Sequence, residues 1–135
     1  MKILKPILLF FSLMMFASLP SKAEPVPVFD IPNKIFQAMK VGNIEELSKY
    51  FNSSIELVVL DKEDVYSKQQ AVQILKAFFA KHKVSDFTLL HQGGKEEAKY
   101  AIGNLETENG NFRIYFLVKQ KNNVSLIHQL RIEEE

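Results

Sequence analysis

The second half of the chain constrains the fold most: one long amphipathic helix, then three hairpin-forming dipeptides in close succession. Ser67-Lys68-Gln69-Gln70 has the layout of a capping box and opens a helix expected to run to about Lys83. Ala71, Val72, Leu75, Phe78, Phe79 and His82 recur at i, i+1, i+4, i+7, i+8 and i+11, a stripe wide enough to lie against a sheet. Gly93-Gly94, Asn109-Gly110 and Asn122-Asn123 then offer the positive φ angles of two-residue hairpin turns. Strands are expected near 85–92, 96–107, 111–121 and 124–132.

The first half supplies two short helices and a short strand pair. Asp30 or Ile31 is expected to cap a first helix, with Pro32 tolerated in its first turn. Ile35, Phe36 and Met39 form its apolar side, and Gly42 ends it. Asn43-Ile44-Glu45-Glu46 reads as another capping box, with Ile44, Leu47 and Phe51 on one side of the helix it starts. Ile55, Leu57 and Val59 alternate as a strand, and a second follows around Val65 and Tyr66. The fold class is therefore α+β: a curved, mostly antiparallel sheet of about six strands wrapped around the long helix and the N-terminal helix pair.

Export is the expectation for the N-terminus. Lys2 and Lys5 precede an apolar run from Ile7 to Leu19, and Ser21 and Ala23 place small residues at −3 and −1 of a cleavage site before Glu24. The run is shorter than the ~20 apolar residues of a membrane span. Residues 1–23 are read as a signal peptide and 24–135 as one domain, periplasmic or secreted, with no membrane span after cleavage. Loss of Lys2, Lys5 and Lys22 turns the formal charge of +1 into −2. A mildly acidic domain offers no footprint for a phosphate backbone, so nucleic acid is excluded as a partner. Without Cys there is neither a disulfide framework nor thiolate chemistry.

Facing follows from the turns. With Asn109-Gly110 as the loop, Glu106 faces Arg113, Ile102 faces Leu117 and Gly103 faces Phe116, and a mid-strand glycine suggests a bulge or bend. Phe112, Ile114, Phe116 and Val118 then share the core side with Leu105 and Ala101. The outer side carries Tyr100, Ile102, Asn104 and Glu106 with Arg113, Tyr115, Leu117 and Lys119. Its apolar members, Tyr100, Ile102, Tyr115 and Leu117, are the candidate interface, and a homodimer is the expected partner. At Asn122-Asn123 a loop longer by one residue is preferred. It buries Leu126, Leu130 and Ile132, each contributing ~1.5–3 kcal/mol, and turns His128 inward.

The opening Val41-Gly42-Asn43-Ile44-Glu45-Glu46-Leu47, followed by Tyr50-Phe51 and a strand, resembles the start of the nuclear transport factor 2-like superfamily. The order of elements over residues 30–132 is similar to that fold, a cone formed by a strongly curved sheet. Size and signal are also similar to an uncharacterised exported family of Bacteroides-type bacteria, a domain of unknown function. The resemblance implies either a binding or accessory domain or an enzyme of ketosteroid isomerase type, which holds an Asp base or an Asp–His pair in its apolar cone. Here the expected inward residues are apolar except His128, with Asp86 its one candidate partner, so no catalytic residue is carried over.

The expectation is an exported, non-enzymatic domain. Its apolar cone, lined by His128, Phe112, Phe116 and Phe79, takes a small apolar ligand or peptide, and its outer sheet face takes a partner. The alternative is a cofactor-free lyase or isomerase using His128. No cofactor or metal is expected: His82, His91 and His128 lack ligand spacing, and Asp61, Glu63 and Asp64 lack the remaining features of a calcium loop.

Overall fold

The computed structural model describes residues 29–135. The signal peptide expected at 1–23 and the leader to Val28 lie outside the described residues.

Helix α1 (Asn33–Val41) starts after Pro32, which takes the capping position itself, two residues beyond Asp30. It buries Ile35, Ala38 and Met39 and ends at Gly42, left-handed at φ 68°. In α2 (Ile44–Ser48) the Asn43 side chain accepts from the Glu46 N–H at 3.1 Å. The expected reciprocal bond is absent, because the Glu46 carboxylate accepts from Lys49 at 2.7 Å instead. Strands β1 (Phe51–Val59) and β2 (Lys62–Ser67) lead into α3 (Lys68–Lys81), where both bonds of the Ser67–Gln70 capping box form. His82 caps the far end, donating its N–H to Phe78 O.

Four long strands follow, β3 (Val84–Lys95), β4 (Ala98–Thr107), β5 (Gly110–Lys121) and β6 (Val124–Glu134). They complete a curved, open six-stranded sheet in the order β2-β1-β6-β5-β4-β3. Every pair is antiparallel except β1 with β6, which is parallel. The α+β cone expected from the sequence is present.

Two turns lie elsewhere than expected. The β3–β4 turn falls at Glu96-Glu97, with Lys95 facing Ala98, and Gly93 and Gly94 stay in the strand. A Cβ on Gly93 would come within 2.9 Å of the Tyr100 hydroxyl oxygen, so the glycine makes room for that ring. The next turn falls at Glu108-Asn109, which pairs Glu106 with Asn111, Ile102 with Tyr115 and Gly103 with Ile114. The register is displaced from expectation by two residues. Because strand side chains alternate with a period of two, every residue keeps its face. Ala101, Leu105, Phe112, Ile114, Phe116 and Val118 are all buried.

Glu106 and Arg113, expected to face each other, do not; Arg113 lies 3.7 Å from Glu135 instead. Gly103 itself is not bulged. A side chain there would overlap the Phe87 ring, and the bulge lies across from it in β3, between Leu89 and His91.

The last turn corrects a third expectation. Asn122 and Asn123 form the whole loop, both at positive φ (54° and 62°), with Lys121 facing Val124. Leu126 therefore faces Lys119 and is only half-buried. Leu130 and Ile132 do reach the core opposite Phe116 and Ile114, because β6 carries one extra residue between Ile127 and Gln129. That residue is His128. A bulge restores the inward parity that the short loop would have lost.

Candidate functional site

Inside the cone, the expected pocket is occupied by side chains. Phe116 is inaccessible, with Phe36 and Phe87 ring centroids at 6.4 and 6.3 Å. Phe112 is buried edge-on against Phe78 at 5.1 Å. The buried side of α3 is thus Ala71, Leu75 and Phe78. Phe79 is half-buried at the rim, edge-on to Phe78 and close to Gly42.

His128 does not join this core. It is half-exposed in the β6 bulge, and burial first and the Lys119 ammonium second hold its pKa below the ordinary imidazole value. Asp86, the partner weighed for it, lies on β3, three strands from β6, or ~14 Å at usual spacing. Asp86 instead accepts from the Phe87 N–H at 2.9 Å and lies 3.5 Å from Lys40. The structure does not bring the two together.

The outer face is assembled as expected in composition. Tyr100, Ile102, Tyr115 and Leu117 are all half-buried, neither sealed nor fully solvated. Tyr100 stacks on Tyr115 at 6.2 Å and 18°, and its hydroxyl lies 3.1 Å from His91 Nε2. Val58, a β1 residue outside the core cluster, is 96% hidden beside Arg131, and Leu90 and Val65 extend the apolar surface toward the two edges.

Between β4 and β6 lies a shallow concavity of about 380 Å³, lined by Ile102, Tyr115 and Gln129 with Arg113, Arg131 and Glu133. Arg131 Nε and Nη2 both donate to one Glu133 oxygen, at 3.0 and 2.8 Å. Asn104, facing Arg113, has a buried Oδ1 with no hydrogen-bond partner among the described residues. Such an atom typically costs ~1–3 kcal/mol.

Among the described residues no three His, Asp or Glu side chains converge as metal ligands, and no helix is long and apolar enough to cross a membrane.

Residues 32–133 match the family described as domain of unknown function DUF4783. The chain belongs to the DUF4783 family.

A DUF4783 crystal structure from Bacteroides ovatus is 41% identical, covering 78% of this chain and 96% of its own, with a TM-score of 0.75. One from Bacteroides uniformis is 37% identical, covering 78% and 98%, at 0.74. A designed nuclear transport factor 2 protein shares the fold at 16% identity, covering 74% and 90%, at 0.59. No curated protein matches the chain. The comparisons agree with the resemblances noted in the sequence: the fold is shared with a nuclear transport factor 2 design, and the DUF4783 structures come from Bacteroides.

In this DUF4783 chain, sequence reasoning missed one concavity altogether. It lies between the end of α3 and the β1–β2 turn, and it contains His82, which the sequence shows as the last member of the helix stripe.

Proposed function

We propose that this protein is an exported, non-enzymatic accessory domain that works by docking, and that the outer face of its sheet binds a second copy of the chain. One observation carries the reading: the outer face has an apolar centre of Ile102, Tyr115, Leu117 and Tyr100, inside a rim bearing both signs of charge. Arg113, Arg131 and Lys119 supply the positive side, and Glu56, Glu63 and Glu133 the negative. A face on which both signs of charge are interspersed can meet a copy of itself across a two-fold axis, as an isologous contact requires. Tyrosines and arginines around an apolar centre are also the residue types that dominate binding energy at interfaces.

The nuclear transport factor 2-like fold is compatible with a binding domain. The packed interior argues against a deep ligand chamber, and the separation of Asp86 from His128 removes the Asp–His pair that the enzymatic alternative requires.

Sedimentation at micromolar concentration tests the docking. A dimer that Leu117→Glu splits, with the melting midpoint otherwise little changed, is the expected result; a monomer at all concentrations refutes it. Export is tested separately, by whether the N-terminus of the protein recovered from its native cell begins at Glu24.

A further inference from the structure

On the helical side a smaller cleft, about 220 Å³, lies between the last turns of α3 and the β1–β2 turn. Its floor is apolar, made by Val59, Leu60, Ile74, Ala77 and Phe78, and Lys62, Lys81, His82 and Asp61 stand around it. A dry apolar cavity of ~150 Å³ accommodates benzene, so this volume suits one ring or a short chain with one polar group attached. The lining contains two lysines against one aspartate, and neither lysine has a carboxylate within 4 Å among the described residues. We infer that this cleft binds a small apolar carboxylate, its ring or short alkyl chain on Phe78 and Leu60 and its carboxyl group between Lys62 and Lys81.

Two further features support a built site. His82 is held more firmly than capping a helix requires. Its ring lies 4.5 Å from Phe78 and 4.9 Å from Phe112, centroid to centroid. Asn109 donates from Nδ2 to Lys81 O at 3.0 Å, which turns its Oδ1 to the His82 Nδ1 at 2.8 Å. Nδ1 must then carry a hydrogen, and Nε2 is left without a hydrogen bond among the described residues.

Leu60 sits in the left-handed region at φ 54°, uncommon for a residue with a side chain, and its N–H donates to Ile132 O at 2.9 Å. Residues held in sparsely populated backbone regions concentrate at ligand sites. The end of a helix would ordinarily repel an anion through its free carbonyls. Here Phe78 O accepts from the His82 N–H and Lys81 O from Asn109, which takes up two of them.

The experiment is a titration with benzoate, followed by amide shifts in the isotope-labelled protein, with benzamide as the neutral probe. Saturable shifts confined to residues 59–62 and 74–82 are expected for benzoate, with a dissociation constant on the order of millimolar and benzamide several-fold weaker. The double variant Lys62→Gln/Lys81→Gln, whose spectrum reports its own folding, is expected to weaken benzoate about tenfold and leave benzamide unchanged. Leu60→Gly, which relieves the backbone strain, is expected to weaken both probes. Equal binding of the two probes, full benzoate affinity in the double variant, or no shifts at these residues overturns the assignment. The site is independent of the outer face: Leu117→Glu is expected to bind benzoate as the parent does, whatever its oligomeric state.

Discussion

On β5, Phe112, Ile114, Phe116 and Val118 point inward and are all but inaccessible, whereas Arg113, Tyr115, Leu117 and Lys119, each one residue on, keep part of their surface open. The same backbone thus serves two environments. The inner row is closed by α1 and α3, and its large side chains meet other rings at 5–6.5 Å. The outer row has no element of the described chain over it, yet it holds tyrosines, leucine and isoleucine where a solvated sheet alternates to polar residues. Closed packing on one side places stability inside the cone, and the unfinished packing on the other is where the proposed contact would form.

The comparison breaks if inner and outer truncations have equal effects. Phe116→Ala, at an inaccessible inner site, is expected to cost ~3–5 kcal/mol, measured by denaturant unfolding. A cost below ~1 kcal/mol would mean that the inner row is not packed as described. Gly103→Ala is expected to cost ~1–3 kcal/mol, because the new methyl group meets the Phe87 ring and the core must shift.

Tyr115→Ala should change stability of the isolated chain far less, by ~1 kcal/mol or under, while weakening self-association in sedimentation. Unaltered association would show that the outer face is not a contact surface.

The smallest effect concerns pH. Folded His128 has a lowered pKa, so the folded state takes up a proton less readily than the unfolded state, whose value is near ~6.5. Its favourable contribution is complete above that value and is lost as pH falls through it toward the lowered one. His128→Gln should therefore reduce the loss of melting temperature between about pH 7 and about pH 5; an unchanged profile would sink this reading.

The order of elements was legible because capping residues and apolar periodicity are local signals. Facing was legible for a different reason: a register error of two residues at the β4–β5 turn leaves the sides intact, so the pairs were misread while the faces were not. The turns themselves were harder. Gly93-Gly94 looks like a hairpin loop, but the glycine is needed under Tyr100, a contact that exists only once β3 and β4 have paired. The bulge at His128 has no local signature, and burial of Leu130 and Ile132 could be met by either a longer loop or an extra residue in the strand. Only the pairing on both sides of His128 distinguishes them. The His82 cleft was invisible because residues 59–62 and 74–82 converge through packing of α3 on the hairpin, and no motif links them.

The parallel pairing of β1 with β6 has a consequence for how the chain must be made. β6 is the last strand to be synthesised, yet it lies in the middle of the sheet, between the β1–β2 pair and the β5-β4-β3 meander. Until residues 124–134 have emerged from a ribosome or a membrane pore, the molecule is two half-sheets with nothing between them, and its longest-range pairing, β1 with β6, cannot begin. A sheet whose central strand is the last of its six to arrive stays open, and threadable through a narrow channel, until residues 124–134 are present. A chain truncated after Asn123 should accordingly be cut by protease throughout, and restoring residues 124–134 should make it resistant.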